Sequence, residues 1–168
     1  MVIAVLTLAV GYFAGGAIGD FLFQRNRRGR LLLAMTAVLL GAIFLYVTLH
    51  TATPDRSRFL VLLAATAFFM PFAAPNVISS IYDITPPEVR STALAAQYFI
   101  EQGGAATAPL LAGILAVRSS LGNAILVICV STWLLCALFF AAAAYLAPRD
   151  IAALRVLMRT RAEAARAR

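Results

Sequence analysis

The sequence predicts an all-α integral membrane protein with five transmembrane helices. Hydrophobic residues make up 62% of the 168-residue chain, whereas soluble domains are about 45–50% apolar. The mean hydropathy is +0.90. The apolar residues fall into five runs, each near or above the ~20 residues that a helix needs to cross about 30 Å of hydrocarbon. The predicted helices are about 1–22, 31–50, 59–83, 91–117 and 122–147, which together form a membrane domain over residues 1–147.

The first predicted helix, 1–22, is expected to stay in the mature chain, because no basic residue precedes its apolar stretch as one would in a cleavable signal peptide. Its glycines recur every four residues at Gly11, Gly15 and Gly19. Small residues at this spacing let two helix backbones approach closely. This helix is therefore predicted to pack against another helix inside the bundle.

The second and fifth predicted helices, 31–50 and 122–147, consist almost entirely of leucine, alanine, valine and phenylalanine. Such a composition suits the lipid-facing periphery of a helical bundle, since it offers a neighbouring helix few polar groups.

The third and fourth predicted helices contain residues that a lipid-facing helix usually avoids. These are Pro71, Pro75 and Asn76 in the third run, and Gly103, Gly104 and Pro109 in the fourth. Proline and paired glycine weaken the backbone hydrogen-bond ladder, which is tolerated at membrane depth only where protein or a water-filled cavity satisfies the freed groups. We therefore expect both helices to face an interior, with these prolines and glycines as packing and hinge positions.

The segment 148–168 is a basic tail. Its apolar residues recur at helical spacing opposite arginines, which is typical of a short helix lying on an anionic membrane surface. A basic tail that only enforces topology explains the same pattern.

The net charge of +7 comes from 14 arginines, and the chain has no lysine. The arginines lie in short connections and in the tail rather than on one soluble surface, which argues against nucleic-acid binding. Eleven of them lie in 23–30, 84–90 and the tail, whereas only Arg56, Arg58 and Arg118 lie at the opposite ends of the helices. The positive-inside rule therefore predicts a multi-pass protein of the cell membrane with a cytoplasmic carboxyl terminus.

The sequence offers little for catalysis. It has a single histidine, no cysteine and histidine spacing that would hold a metal, and no lysine for a phosphate-binding loop. We therefore expect no enzyme activity, no metal and no cofactor.

Glu101 lies about ten residues into the fourth run, close to the middle of the bilayer. Burying a carboxylate there costs about 2.5–3.5 kcal/mol on insertion scales. Gln97 lies one turn earlier on the same helix face, and Tyr98 borders it. Together with Asn76 these residues form a candidate site for a substrate or a proton. The alternative is a carboxyl group that only helps hold this helix to a neighbour.

Charged residues also meet where the first and third helices end. Asp20 precedes the arginine cluster, and Asp83 precedes Arg90 by seven residues. Carboxylates and guanidinium groups at a membrane rim pair across helices, and such pairs break when helices move apart. The predicted gate consists of Asp20, Arg28, Arg30, Asp83 and Arg90. Topological sorting alone is the alternative explanation for the basic loop.

Two of these elements resemble a known family. Gly16-x-x-x-Asp20 followed by Arg28-Gly29-Arg30 resembles the cytoplasmic loop signature of the major facilitator superfamily, here lengthened by the segment FLFQRN. Asp83-x6-Arg90 is similar to the acidic-x6-Arg element that this family places two helices later. The loop and the run PPEVRSTALAAQYFIEQGGAATAPLLAGIL look most like the second half of spinster-like members.

The resemblance implies a partial major-facilitator-type bundle, helices eight to twelve of a twelve-helix secondary active transporter. Such a protein moves a small-molecule substrate across the lipid bilayer by alternating access, with a proton as the candidate coupling ion. The amino-terminal half would then be missing from this chain or be supplied by a partner chain. A non-transporting membrane scaffold that binds other proteins remains the alternative function.

Overall fold

The computed structural model describes residues 2–50 and 56–166, and within these residues it contains helices and no strand. Met1 of the first predicted helix and residues 167–168 of the predicted tail lie outside the described part. The helices are α1 (Val2–Arg25), α2 (Gly29–His50), α3 (Arg56–Phe69), α4 (Ala73–Ile84), α5 (Arg90–Arg118) and α6 (Leu121–Arg166). Short 3₁₀ segments, Met70–Phe72 and Pro87–Val89, precede α4 and α5.

Five helical segments of the described chain are long and apolar enough to cross a membrane. They are Val5–Arg25, Gly29–His50, Ser57–Ile84, Pro87–Arg118 and Leu121–Arg166. The predicted fold class, an all-α integral membrane protein with five transmembrane helices, is therefore confirmed.

The third span is interrupted where its prolines occur. α3 ends at Phe69, and Met70–Phe72 forms a 3₁₀ turn before α4 begins at Ala73. Pro71 lacks a backbone N–H, so the ordinary α-helical ladder cannot continue unbroken through it. Pro75 falls in the first turn of α4, where a missing N–H costs little.

α1 packs against this interrupted span through its glycine face. Gly11 faces Phe68, Gly15 faces Phe72 and Gly19 faces Asn76. The contact residues therefore recur every four positions on both helical segments. A Cβ atom at Gly15 would lie only 2.6 Å from the Cα of Phe72. The two backbones therefore approach so closely that these positions leave no room for a side chain.

α2 occupies the centre of the described bundle, although its composition predicts the periphery. Its buried residues include Leu31, Ala34, Val38 and Leu45, and it packs on α1, α3, α4 and α6. A uniformly apolar helix packs equally well against lipid or protein, so its composition does not distinguish the two. In contrast, no residue of α5 is buried by the described chain, although its polar residues predict an interior position.

The fifth predicted helix does not end at residue 147. α6 continues through Pro148 to Arg166, and Ala144, Ala147 and Ile151 form a buried cluster with Leu31 of α2. The segment 148–166 therefore continues the last helix without a break.

This continuation, which we call the α6 extension, packs against the α4–α5 turn. Ala153, Leu154 and Leu157 share a cleft of about 300 Å³ with Ile84 and Pro86. Arg161 Nη1 lies 2.6 Å from Glu88 Oε1. The α6 extension thus lies beside the α4–α5 turn and forms an ion pair with it.

Candidate functional site

Three helix ends meet at the arginine-rich end of the bundle, where α1 and α4 finish and α2 begins. Arg30 Nη2 and Nε donate to Asp20 Oδ1 at 2.7 and 3.1 Å. Arg30 Nη1 donates to Asp83 Oδ2. One guanidinium group therefore bridges two carboxylates from two different helices.

The local sequence places Arg30 at this point. Asn26 closes the turn after α1, because its backbone carbonyl accepts from the Gly29 N–H at 2.7 Å and its side-chain oxygen accepts from the Arg28 N–H at 3.0 Å. A Cβ atom at Gly29 would lie 2.6 Å from the carbonyl carbon of Leu22, so only glycine fits. This tight turn puts Arg30 in the first turn of α2, beside the end of α1.

The environment of this cluster strengthens its ion pairs unequally. The Arg30 side chain is 14% exposed, that of Asp83 is 25% exposed and that of Asp20 is 59% exposed. The ring of Phe23 covers the guanidinium group, with its centroid 4.1 Å from the Arg30 Cζ. Because water screens exposed pairs, we expect the Arg30–Asp83 pair to stabilise the assembly more than the Arg30–Asp20 pair does.

The other two predicted gate residues lie outside this cluster. The side chain of Arg28 has no ion pair within the described part of the chain. Arg90 donates to the backbone carbonyls of Tyr82 and Thr85 at 3.1 and 3.3 Å. It therefore donates to backbone carbonyl groups that have no partner within the helix at the end of α4, instead of pairing with Asp83.

Asn76 also lies outside the site predicted for substrate or proton. It is 1% exposed, and its amide nitrogen donates to the carbonyls of Gly15 at 3.0 Å and Phe72 at 2.7 Å. Ser80 donates back to the Asn76 carbonyl at 2.7 Å. The Asn76 side chain therefore joins α4 to α1 in the glycine-lined contact.

The remaining residues of that predicted site stay together on α5. Gln97 Nε2 donates to Glu101 Oε2 at 2.7 Å, whereas the buried Gln97 Oε1 has no hydrogen-bond partner. Tyr98 is 45% exposed and Glu101 is exposed. This arrangement places the shielded oxygen of Gln97 beside the exposed carboxylate of Glu101.

The predicted hinge glycines lie on the same helix. A Cβ atom at Gly103 or Gly104 would meet nothing within 4 Å, and α5 remains one helix through Pro109. These glycines therefore make no close helix contact of the kind that Gly11, Gly15 and Gly19 make in α1.

Sequence reasoning missed the Glu88–Arg161 pair. The two residues are 73 positions apart, and no pattern in the tail singles out Arg161 among its neighbouring arginines. Their pairing depends on α6 continuing past Pro148, which the sequence does not reveal.

No metal centre is present in the part of the chain that the structure describes, where no three histidine, cysteine, aspartate or glutamate residues cluster. Both cysteines, Cys129 and Cys136, are free thiols.

Comparison with known proteins gives one match. A family model described as Major Facilitator Superfamily matches residues 1–164, which is nearly the whole chain. No curated protein and no solved structure matches.

Proposed function

This chain belongs to the major facilitator superfamily, a family of membrane transporters, and we propose that it supplies helices eight to twelve of a secondary active transporter. The transporter moves a small solute by alternating access, in which two helical bundles rock around a site near the middle of the membrane. The five apolar spans and the motifs at 16–30 and 83–90 support this assignment. The same motifs favour a spinster-like member.

The observation that carries the proposal is the bridge from Arg30 to both Asp20 and Asp83. It joins the ends of α1, α2 and α4 on one side of the membrane. If these ends separate when the transporter opens on that side, the bridge must break. The bridge therefore acts as a latch that stabilises the outward-open state, in which this side is closed.

The latch lies on the cytoplasmic side in this proposal. Its loop carries four arginines between residues 23 and 30, and α6 ends at the same end of the bundle with several more. Arginine is enriched in cytoplasmic loops. The protein is thus a multi-pass protein of the cell membrane with its carboxyl terminus in the cytoplasm.

The substrate site is proposed on α5, at Gln97, Tyr98 and Glu101, with a proton as the candidate coupling ion. Asn76 supports this site indirectly by holding α4 to α1, since its amide is bonded to two backbone carbonyls. The other part of the cavity would come from an amino-terminal half or a partner chain. The absence of any buried residue in α5 among the described residues is consistent with such a partner.

The latch is tested by replacing Asp83 with Asn in the complete transporter and measuring access from both sides of the membrane. Single cysteines at Leu94 and Ala108, seven residues to either side of Glu101 on the same helix face, report the two sides in a background without Cys129 and Cys136. We expect thiol labelling at position 94 to rise several-fold and labelling at position 108 to fall. Asn keeps the shape of Asp83 but removes the charge that holds Arg30.

Asp150→Asn is the matched control. Asp150 lies at the same end of the bundle and, within the described residues, forms no ion pair. It should leave both labelling rates unchanged. Unchanged labelling in Asp83→Asn as well would contradict the latch, and the absence of alternating access under any condition would favour a non-transporting scaffold.

A further inference from the structure

We propose that Gln97 and Glu101 bind a protonated amine, which makes an organic ammonium ion the substrate class; this inference depends on the proposed function. The ammonium group donates one N–H to the Glu101 carboxylate and a second to Gln97 Oε1. The inference combines the unpaired oxygen of Gln97, the lack of positive charge near Glu101 and the exposed ring of Tyr98.

The side chains of Gln97 and Glu101 have more hydrogen-bond acceptors than donors, and some of these acceptors are unused. Gln97 already uses its amide nitrogen on Glu101 Oε2 at 2.7 Å, so Glu101 Oε1 stays available. Gln97 Oε1 is shielded from solvent without any hydrogen bond, and such a buried acceptor is unfavourable. Rotating the Gln97 amide by 180° would point its oxygen toward the Glu101 carboxylate. Two acceptors then face each other, which is favourable only when a donor lies between them.

The charge of Glu101 is not neutralised by this chain. The nearest arginines along α5 are Arg90 and Arg118, about 17 and 26 Å away at 1.5 Å per residue. Arg30 and Arg161 pair with Asp20, Asp83 and Glu88, and neither of them contacts Glu101.

An ammonium ion fits these groups better than a metal ion does. Its N–H donors match two acceptors one helical turn apart, whereas the described residues offer no cluster of three ligands for a metal. Tyr98 lies beside Glu101 on the helix with its ring 45% exposed, so the ring face is available to a cation. The site therefore recognises both the charge and the N–H donors of its ligand.

The test measures binding to the 168-residue chain at one copy per phosphatidylcholine nanodisc. Three probes share one ring and differ at the head group: benzylammonium, benzyltrimethylammonium and benzyl alcohol. We expect benzylammonium to bind most tightly, trimethylammonium more weakly because it has no N–H, and the alcohol least. Ligand-observed NMR titrations give the dissociation constants.

Two variants separate the roles of the two side chains. Glu101→Gln should weaken benzylammonium binding at least tenfold. Gln97→Ala should weaken benzylammonium binding several-fold and leave benzyltrimethylammonium binding unchanged, because only the first probe uses Gln97 Oε1. Circular dichroism confirms that each variant keeps its helix content, and Gln102→Ala is the matched control on the same helix.

Equal binding of the alcohol and the ammonium, or unchanged binding in Glu101→Gln, would overturn the proposal. So would the absence of amine binding in single-copy discs. These results do not depend on alternating access. The Asp83→Asn labelling experiment tests the proposed function separately, and it requires no amine.

Discussion

Arg30 is better suited than a lysine to its position, because its side chain donates to two carboxylates at once. Its Nη2 and Nε atoms donate hydrogen bonds to Asp20, while Nη1 donates to Asp83. A guanidinium fork presents its donors in a fixed plane, whereas an ammonium group is a compact point charge. Lysine brings the same charge on a single nitrogen, so we expect it to hold Asp20 and Asp83 together less firmly than arginine does.

We predict that Arg30→Lys partly opens the latch and that Arg30→Gln opens it further. Thiol labelling at Leu94→Cys in the complete transporter should rise in the order wild type, Arg30→Lys, Arg30→Gln. Hydrogen bonds to charged groups contribute about 1.5–3 kcal/mol each, so the free energy of unfolding in detergent should fall in the same order.

Arg155→Gln is the control for this series, since Arg155 is exposed and has no ion pair among the described residues. It should change neither measurement. Equal labelling in Arg30→Lys and wild type would show that a single positive charge suffices, and the bridging geometry would then be unnecessary.

At the level of helices, the contact between α1 and the interrupted span determines how the bundle is assembled. Gly11, Gly15 and Gly19 allow the backbone of α1 to approach Phe68, Phe72 and Asn76. The buried Asn76 amide then reaches the Gly15 carbonyl at 3.0 Å. Close packing therefore brings the hydrogen bond within reach, and the hydrogen bond fixes which turns of the two helices face each other.

We predict that Gly15→Ala destabilises the bundle although alanine favours a helix. The new Cβ atom would lie 2.6 Å from the Cα of Phe72, so the helices must separate and the Asn76 bond must lengthen. Overpacking of this kind costs about 1–3 kcal/mol. The free energy of unfolding in detergent, measured by circular dichroism, checks this value.

Gly113→Ala is the matched control, since a Cβ atom there meets nothing within 4 Å. Removing a helical glycine at an open position should leave the stability unchanged or raise it by up to about 1 kcal/mol. If both variants were equally stable, the glycine face of α1 would not be a close contact.

The residues themselves explain which of these features sequence reasoning could predict. The five spans follow from apolar runs, and the charged end follows from Asp20, Asp83 and the arginine cluster. The choice of Arg30 over Arg28 depends on the turn closed by Asn26, and the choice of carbonyl partners for Arg90 depends on how α4 ends. Such partner choices require distances in space, which spacing along the chain does not supply.

Helix burial within the chain does not follow helix polarity, for a physical reason. The apolar α2 is central among the described helices, whereas the polar α5 contacts α4 and α6 without burying any residue. Polarity indicates where a helix meets water, a ligand or a polar partner. Burial within one chain measures only the contacts that this chain makes. The polarity of a helix and its burial within one chain therefore need not agree.

Across the whole molecule, the α6 extension links the last helix to the segment that carries the latch. Ile84 and Pro86 share a cleft with Leu154 and Leu157 of this extension, and Asp83 lies one residue before Ile84. A movement that opens the latch must therefore move the α4–α5 turn along the α6 extension or carry both together.

We predict that cysteines at Glu88 and Arg161, in a background lacking Cys129 and Cys136, are joined rapidly by a short bifunctional thiol reagent. The reason is that the two side chains meet at 2.6 Å although they are 73 residues apart. An exposed ion pair by itself contributes little, so the continuity of α6 from Leu121 to Arg166 is what we expect to keep Arg161 beside Glu88. Linking Glu88→Cys to Glu163→Cys is the control, because residue 163 lies about 200° around the helix from residue 161. This second pair should react much more slowly. Equal rates for the two pairs would mean that the α6 extension is not docked on the turn, and a helix lying on the membrane surface would then describe residues 148–166 better.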